Sequence, residues 1–408
     1  MMKKILIFLL TALLCTLLFF GCSRANEDTV ANQDQESANA SGLEMHKIGV
    51  ATYDVRDAQI MMFKDYLDNY IKECFSDVTF LYSETLSGSD DLMNFLEYCA
   101  ENEVEGVMVF GSYDLQKEVE FCAEHDMYMI RPSATSSDAD FEAVASNPYY
   151  VGEIGPGTEL EYQAGVDMVE TMAKEEESYL VLSGGASEGN EMHRLRTMGI
   201  LDTLRQKYGV SFEQSPEELA VINETTTVEA NGLRVTIFPG YLEFEENSTA
   251  AGNLISTGEY TTILSSVPVS PVMDTLESID VKCGTVDCFS EDNYYGFKNG
   301  IISYVAGKYQ SEIGPGFAAL YNAITGNGDA FREDGRAFRL KQGFWTAKSS
   351  EEYEGMYSLA RSLSVNAYNY EDLYSVIKSM TPEAGFDALK TLAESFSYED
   401  CMERRGLN

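Results

Sequence analysis

The regular alternation of two kinds of apolar pattern restricts the possible folds of this chain more than any other feature. Short apolar runs at His46–Thr52, Val78–Tyr82 and Gly106–Phe110 are each followed by a stretch with apolar residues three and four positions apart, as in Ala58–Phe75 and Asp90–Asn102. The short runs are typical of buried strands, and the longer stretches are typical of amphipathic helices. Because consecutive strands joined by helices pair in parallel through right-handed crossovers, this order predicts a doubly wound α/β sheet.

The same pattern begins again after a strand predicted at Tyr149–Gly152, so the chain is predicted to contain two α/β lobes joined by a hinge. Residues 209–259 have the weakest pattern, and the last part of the chain is predicted to form a helical extension. The remaining predicted helices are Leu115–His125, Glu159–Ala173, Asn190–Tyr208, Glu351–Leu363 and Asp387–Phe396. The remaining predicted strands are Met127–Ile130, Tyr179–Ser183, Gly232–Phe238, Tyr260–Ser265 and Val281–Phe289.

The first residues of the chain have the pattern of a secretory signal peptide. Lys3 and Lys4 precede an almost unbroken apolar run at Ile5–Phe20, and the sequence becomes polar directly after Gly21 and Cys22. A basic start, an apolar stretch and a small residue at the cleavage point are the three parts of such a peptide. The run is shorter than the ~20 apolar residues that a membrane-spanning helix needs, so a retained helix is the less favoured alternative.

The Gly21–Cys22 pair resembles the processing box of bacterial lipoproteins, in which the cysteine receives the lipid and becomes the new N-terminus. Phe19 and Phe20 depart from that box, which has an aliphatic and then a small residue there. The following segment has no aromatic residue and is predicted to be a disordered tether. We therefore expect a signal peptide at 1–21, a lipid-anchored tether at 22–45, and a location on the extracytoplasmic face of the cell membrane; ordinary secretion is the alternative.

The formal net charge of −39 excludes one class of partner. Such a surface repels phosphate backbones, so nucleic acid is not expected to bind. The same field opposes an anionic ligand, which favours a neutral or cationic one. The sequence shows no cofactor motif.

The cysteine pattern does not predict a metal site. Apart from Cys15 and Cys22, the cysteines lie at positions 74, 99, 122, 283, 288 and 401, with no C-x-x-C pair, and the chain has three His. Cys283 and Cys288 on one strand would be about 16 Å apart, too far to bridge each other. Both disulfides and buried free thiols are compatible with the remaining pattern.

From about Lys47 to Asn327 the chain resembles the type I periplasmic binding proteins, in the sugar-binding branch that includes ribose-binding proteins. The resembling segments are IGVATYD, VEGVMVFGS, YMIRPS, YYVGEIG, AGVDM, YLVLSGG, RTMGI, CGTVDCF, YVAGKYQ and IGPGFAALYNAITGNG, in that order. The resemblance implies a first lobe at 46–152 plus 308–327 and a second lobe at 153–307 plus 328–408. It further implies a monomeric solute-binding subunit of an ABC importer, which works with permease subunits, uses no cofactor and catalyses no reaction.

The resemblance also implies a set of ligand contacts. In this sequence they fall on Tyr53, Asp57, Gln59, Tyr113, Asp114, Arg131, Arg196, Asp287 and Gln310. Arg196 in RTMG and Asp287 in GTVD match the family best. Pro156 and Gly157 replace the family's Asp-Asn pair, and Gly307 replaces its Gln, so the pocket need not hold ribose or any other sugar.

Two other classes of function are compatible with parts of the sequence. A lipid-anchored sensor would use the same cleft but pass its occupancy to a membrane signalling partner. A hydrolase is suggested by the G-x-S-x-G motif at 185–189, with Ser187 as the nucleophile. That mechanism needs a general base, and the one His after Ser187 is His193, six residues on, which argues against the hydrolase.

Overall fold

The computed structural model describes residues 44–175, 177–186, 191–362 and 366–407, and all elements below lie in these ranges. The predicted signal peptide, the lipidation site Cys22 and nearly all of the predicted tether fall on residues 1–43, outside the described residues, and so does Ser187. Residues from Glu44 onward cluster as one unit, in which the strands form two sheets. None of the described helices combines the length and apolar character that crossing a bilayer requires.

The first sheet is parallel throughout and has the strand order β12-β5-β4-β3-β1-β2. Its strands are β1 (His46–Ala51), β2 (Val78–Tyr82), β3 (Gly106–Val109), β4 (Tyr128–Arg131), β5 (Tyr150–Gly155) and β12 (Phe338–Lys341). Ile48 of β1 lies opposite Phe80 on one side and Gly106 on the other. Strands β3 and β5 are buried along their whole length, as expected for a sheet with helices on both faces.

The second sheet has the order β13-β11-β10-β9-β6-β8-β7 and is parallel except at its two edges. Its strands are β6 (Ser178–Ser183), β7 (Thr226–Ala230), β8 (Leu233–Pro239), β9 (Thr262–Ser265), β10 (Lys282–Cys288), β11 (Ile302–Lys308) and β13 (Trp345–Ala347). The edge strand β7 is joined to β8 by Asn231 and Gly232, whose φ angles of 55° and 82° form a tight hairpin. Asn-Gly is the preferred sequence for such a turn, so this hairpin was readable from the sequence.

The helices cover both sheets. They are α1 (Ala58–Tyr66), α2 (Ser89–Glu101), α3 (Leu115–Glu124), α4 (Asp138–Val144), α5 (Thr158–Met172), α6 (Glu191–Tyr208), α7 (Pro216–Leu219), α8 (Glu245–Ser256), α9 (Met273–Glu277), α10 (Glu291–Lys298), α11 (Gly314–Ile324), α12 (Ser350–Ala360), α13 (Tyr370–Ser375), α14 (Phe386–Glu394) and α15 (Tyr398–Arg405). Helix α1 continues through a π-helical segment, Leu67–Ile71, and a short turn, Lys72–Cys74, in agreement with the predicted helix at 58–75. The two-lobe parallel fold with extra C-terminal helices confirms the predicted fold class.

The chain passes between the two sheets at three crossovers of the described residues. The first runs from β5 to α5, the second from β11 to α11, and the third from β12 to β13. The third crossover was not predicted, because the predicted lobe boundary placed all of residues 328–408 in the second lobe. Phe338–Lys341 instead pairs with β5, opposite Gly152 and its neighbours, and so extends the first sheet. A four-residue strand has too little pattern to be recognised before its partner strand is known.

The C-terminal helices contact both lobes rather than the second lobe alone. Helix α12 packs against α10 and β13, whereas α14 packs against β12 and α11. The chain's single Trp, Trp345, stacks on Tyr309 of the second crossover with ring centroids 4.0 Å apart. The indole nitrogen of Trp345 donates to the carbonyl of Phe396 at 2.8 Å. The extension therefore packs over two of the crossovers.

The cysteines at positions 74, 99, 122, 283, 288 and 401 are all free thiols, and all except the partly buried Cys74 are buried. Of the two alternatives that the sequence allowed, the structure therefore has free thiols.

Candidate ligand-binding site

The carboxyl-terminal edges of the two sheets lie next to each other. Helix α1, which follows β1 of the first sheet, packs against β10 of the second. Polar residues stand at the ends of the strands along both edges, including Arg131 on β4, Asp287 on β10 and Lys308 on β11. The crevice outside the carboxyl ends of parallel strands is the usual ligand site of open α/β sheets. The predicted contact residues can therefore be judged by whether they lie at this junction.

Three of the predicted residues form one hydrogen-bonded group that extends from the loop after β1 into the first turn of α1. The hydroxyl of Tyr53 donates to Oδ1 of Asp57 at 3.0 Å, and Nε2 of Gln59 donates to the Tyr53 hydroxyl at 3.3 Å. Asp57 also caps α1 by accepting from the backbone N–H of Ile60 at 3.0 Å. Asp57 thus has a structural role in addition to its predicted one. All three side chains are half-buried.

Asp287 of the second sheet faces this group across the junction. Its Oδ2 accepts a hydrogen bond from Nδ2 of the buried Asn293 at 2.7 Å. Burial raises the pKa of Asp287 to about 6, and the negative charge of Asp57 adds to the effect. Burial likewise raises the pKa of Asp57. The Tyr53 hydroxyl has a pKa well above its usual range because it is buried and lies close to Asp57, Cys288 and Asp287. Residues separated by more than 200 positions therefore meet at one place.

Glu243 is a third carboxylate of this junction, which the sequence analysis did not identify. It follows β8 and keeps part of its side chain exposed to solvent. Even so, partial desolvation among its neighbours raises its pKa to about 7, and the charges of Asp57, Asp287 and Asp54 raise it further. Glu243 lies in the weakly patterned segment 209–259, and no local sequence signal distinguishes it from the many other acidic residues. We call Asp57, Glu243 and Asp287 the acidic cluster.

Arg196 lies on the wall of the second lobe. Its Nε donates to Oε2 of Glu161 at 2.5 Å, and its Nη1 donates to the carbonyl of Ser266, directly after β9, at 3.3 Å. The guanidinium also lies over the ring of Phe344 in the third crossover, 5.3 Å from its centroid. Arg196 and Glu161 are both buried, so this is a fully desolvated ion pair.

Two glycines bring the helices of this ion pair together. A Cβ atom on Gly165 of α5 would lie 2.0 Å from the backbone oxygen of Arg196, and one on Gly199 of α6 would lie 2.1 Å from the backbone oxygen of Tyr162. Neither distance is possible for a larger residue, so both positions require glycine. The AGVDM and RTMGI segments thus supply the close packing that holds Arg196 against Glu161.

His193 lies one turn before Arg196 on α6. Its Nδ1 is 2.8 Å from the carbonyl of Ser266, and its ring meets that of Tyr241 edge-on at 5.2 Å. Burial and the nearby charge of Arg196 lower the pKa of His193 to about 3, so the imidazole is neutral at physiological pH. A neutral ring whose Nδ1–H donates to this carbonyl accounts for the contact.

Lys308 is the main residue of the junction that sequence reasoning missed. It ends β11 in the second sheet, but its buried ammonium reaches Ser133 after β4 in the first. Nζ donates to Oγ of Ser133 at 2.7 Å and to the carbonyl of the same residue, and it lies 3.9 Å from Oε1 of Glu312. Burial lowers the pKa of Lys308 against the opposing effect of Glu312, and burial raises the pKa of Glu312 to about 7. The family resemblance concerns Gly307 and Gln310 on either side of Lys308, and no sequence pattern indicates that this lysine reaches the other sheet.

The other predicted contacts mainly have partners within the protein. Tyr113 donates to the carbonyl of Leu86 at 2.6 Å, and Asp114 caps α3 by accepting from the N–H of Lys117 at 3.2 Å. Gln310 donates to Asp65 on α1. Arg131, at the end of β4, is buried with Nη1 3.7 Å from Oε2 of Glu153. The structure thus brings Tyr53, Asp57, Gln59 and Asp287 together, with Arg196 and Arg131 on the walls beside them, whereas Tyr113, Asp114 and Gln310 are engaged elsewhere.

Two surface depressions of about 680 and 600 Å³ lie away from this junction. The first is lined by residues of α12 and α15, including Glu352 and Tyr398, and the second by residues of α13, α14 and α15, including Asp372 and Arg404. Neither is lined by strand-end residues from both sheets. The junction is the better candidate because polar groups from both lobes converge there.

The fold is similar to that of several solute-binding proteins of known structure. An ABC transporter solute-binding protein from Bacillus halodurans C-125 with bound myo-inositol has a TM-score of 0.56 at 14% identity, covering 78% of this chain and 99% of its own. A protein from Mycobacterium smegmatis in complex with β-D-fucofuranose has a TM-score of 0.54 at 10% identity, covering 78% and 96%. The arabinose-binding component of an ABC transporter from Shewanella sp. ANA-3 has a TM-score of 0.53 at 10% identity, covering 77% and 95%. The predicted resemblance to the fold of periplasmic sugar-binding proteins is thus confirmed.

No family model matches the sequence, and no curated protein is significantly similar to it. At 10–14% identity, the structural similarity concerns the fold.

Proposed function

We propose that this chain is an extracytoplasmic solute-binding lipoprotein of an ABC importer, which takes a sugar or sugar-like polar solute between its two lobes. The observation that carries the proposal is the convergence of Tyr53 and Asp57 from the first lobe with Glu243 and Asp287 from the second. Two parallel sheets that present their carboxyl ends to each other are suited to closing around a solute. The solved structures with this fold that contain bound myo-inositol and β-D-fucofuranose add support.

The side chains at the junction match the surface of a polyhydroxylated ligand. Carboxylates accept hydrogen bonds from ligand hydroxyls, and Gln59 both donates and accepts. The ring of Tyr53 offers an apolar face. Closure expels water from the crevice, which strengthens each of these hydrogen bonds. Binding then selects the closed arrangement, in which α1 of the first lobe meets β10 of the second, and the permease would recognise that arrangement. The chain itself catalyses no reaction.

A ligand screen by thermal shift tests the proposal. The full chain, purified in mild detergent, is screened against pentoses, hexoses, polyols, nucleosides and amino acids. A true ligand at a hundredfold excess over its Kd stabilises the fold by about 2.7 kcal/mol, which gives a readily measured shift. We expect the shift to be reduced in Asp287→Asn, which removes one carboxylate of the junction but leaves Tyr53, Asp57 and Gln59 in place.

The matched control is Asp280→Asn, which removes one exposed carboxylate before the other end of β10, about 23 Å along the strand. This control should retain the full shift. If no sugar or polyol stabilises the wild-type chain, or if Asp287→Asn responds as the control does, the proposed function is wrong.

The membrane anchor needs a separate test. We propose that export is followed by lipidation of Cys22, because the Gly21–Cys22 pair ends the apolar run. In bacteria fed labelled palmitate, the wild-type chain should carry the label and sediment with membranes. Cys22→Ser should lose both properties while it keeps its ligand response. An unlabelled wild-type chain in the culture medium would indicate ordinary secretion instead.

A further inference from the structure

The carboxylates around the junction fall into two groups. Glu161 is paired with Arg196 at 2.5 Å, Glu312 lies 3.9 Å from Lys308, and Glu153 is contacted by both Arg131 and Arg339. Each of these acids therefore has a basic partner supplied by the protein.

The acidic cluster lacks such partners. Among the described residues, no Lys, Arg or His nitrogen lies within 4 Å of a carboxylate oxygen of Asp57, Glu243 or Asp287. Arg56, the basic residue next to Asp57 in the chain, is engaged with Asp54 at 3.0 Å. The charge of Asp57 thus raises the pKa of both Asp287 and Glu243, and the charge of Asp287 raises the pKa of Glu243, without a compensating positive charge.

An unpaired buried acceptor lies beside the cluster and provides an independent observation. Asn293 is completely buried, and its Nδ2 makes two hydrogen bonds, to Oδ2 of Asp287 and to the carbonyl of Cys288. Its Oδ1, on the same amide, has no hydrogen-bond partner among the described residues. A buried acceptor without a donor is destabilising, so such atoms are uncommon unless something supplies the donor.

The chemistry missing from this part of the junction is hydrogen-bond donation and positive charge. Ionised carboxylates and the amide oxygen of Asn293 are all acceptors. A hydroxyl brings one donor and no charge, whereas a protonated amine brings up to three donors and a full positive charge. We infer that the solute bound at this junction carries a protonated nitrogen, as in an amino sugar or another amino polyol, and that this group binds among Asp57, Glu243 and Asp287. The inference rests on the proposed function and narrows its ligand class.

A bare metal ion fits the junction less well than an organic cation. In the described ranges, no group of three or more acidic, His or Cys side chains is arranged to hold a metal ion. An amino polyol can place its nitrogen among the acids and its hydroxyls against other polar groups of the junction, such as the half-buried side chain of Gln59.

Cation binding at this cluster must depend on pH. The groups that face the cluster are Tyr53 and Asp54 of the first lobe, Cys288 of β10 and Tyr353 of α12. The charge of Asp54 is already balanced by Arg56, and the hydroxyl of Tyr353 donates to the carbonyl of Ser290. Because the pKa of Asp287 is about 6 and that of Glu243 about 7, both acids are ionised at pH 8 and largely protonated at pH 5.5. Affinity for a cationic solute should therefore rise with pH across this range, and binding near pH 6.5 should release protons.

The experiment compares matched pairs of probes by calorimetry on the full chain in mild detergent. Each neutral sugar or polyol is tested beside its amino-deoxy counterpart, for example glucose with 6-amino-6-deoxyglucose and sorbitol with 1-amino-1-deoxysorbitol. At pH 8 we expect at least one amino compound to bind about tenfold more tightly than its neutral parent, the difference between a charge-assisted and a neutral hydrogen bond. The preference should shrink at pH 5.5.

The variants separate this inference from the proposed function. Asp57→Asn keeps a good helix cap for α1, so it should not disturb the fold. The double variant Asp57→Asn with Asp287→Asn should reduce the preference for the amino compound to about twofold or less. The control Asp280→Asn should leave this preference intact. Neutral sugars that bind as tightly as their amino counterparts would overturn the inference and leave the proposed function standing. If spermidine binds with the same dependence on Asp287 and no sugar of either kind binds, the cationic ligand is supported and the sugar importer is rejected. If nothing binds, both are rejected.

Discussion

Lys308→Met tests whether the charged contact between the lobes is a net stabilising one. The substitution removes the hydrogen bonds from Nζ to Ser133 and the counter-charge of Glu312, but it roughly keeps the buried volume, so little cavity forms. Hydrogen bonds from a charged donor are worth roughly 1.5–3 kcal/mol each, and removing one partner of a buried ion pair costs about 3–5 kcal/mol. Part of this loss is offset because the desolvated ammonium is no longer buried. We expect a net loss of about 3 kcal/mol at pH 8, equivalent to roughly 4 °C in Tm for a folded unit of this length.

The pH dependence of Lys308→Met follows from Glu312, which it leaves unpaired. In the wild-type chain the pKa of Glu312 is about 7, and because the charge of Lys308 lowers it, Lys308→Met should raise this pKa further. The favourable contribution of the protonated carboxyl is therefore complete at low pH and is lost as the pH rises above about 7. At pH 5.5 the carboxyl is protonated and Lys308→Met should cost only roughly 1–2 kcal/mol. The double variant Lys308→Met with Glu312→Gln should be more stable than the single variant at pH 8, because no uncompensated charge is left.

Urea unfolding at the two pH values measures these free energies. The control is Lys282→Met, which removes an exposed lysine of β10 and should change the free energy of unfolding by about 0.5 kcal/mol or less. Two results together would refute this reasoning: Lys308→Met is equally destabilising at pH 5.5 and pH 8, and adding Glu312→Gln does not change its effect. The charge of Lys308 would then not contribute to the contact between β11 and the loop after β4.

Three further predictions concern other parts of the molecule. Asp287→Asn should stabilise the ligand-free chain at pH 8 by roughly 1–3 kcal/mol, because the pKa of Asp287 is about 6 and its ionisation opposes folding above that pH; urea unfolding at pH 4 should show little gain. Gly199→Ala should lower the Tm by several degrees and weaken ligand binding, because the new Cβ would collide with α5 and displace Arg196. The control is Gly258→Ala at an exposed position, where the positive φ strains the backbone; it should lower the Tm without changing ligand binding. Trp345→Leu should make the C-terminal helices more susceptible to limited proteolysis, because it removes the contact with Tyr309; an unchanged digestion pattern would argue against a role for this stack.

Most of the fold could be predicted because its signals are local. Each buried strand and each amphipathic helix has its own pattern within a short segment of sequence. The predicted strand at 78–82 and helix at 115–125 agree with β2 and α3 to within a residue. The turn at Asn231–Gly232 also has a local signal, the Asn-Gly pair, although it lies in residues 209–259, where the pattern is weakest. Strand β12 was missed because four residues carry no usable period.

The site was predicted only in part, because its geometry depends on contacts between distant segments. The sequence placed Tyr53, Asp57 and Asp287 at the ends of strands, and parallel topology requires such ends to lie along one edge. It did not indicate that Glu243 joins them, nor that Lys308 reaches Ser133 across the junction.

The sequence alone was enough to predict the two α/β lobes, because periodicity and composition are properties of continuous stretches of chain. The tertiary structure decided which acids share a charge environment and which basic groups are already paired. Electrostatic interaction depends on distances of a few ångströms between side chains that are remote along the chain. For this reason Glu161 and Asp287, both acidic residues within the resembling region, differ in the structure: one is paired with an arginine, and the other remains without a basic partner among the described residues.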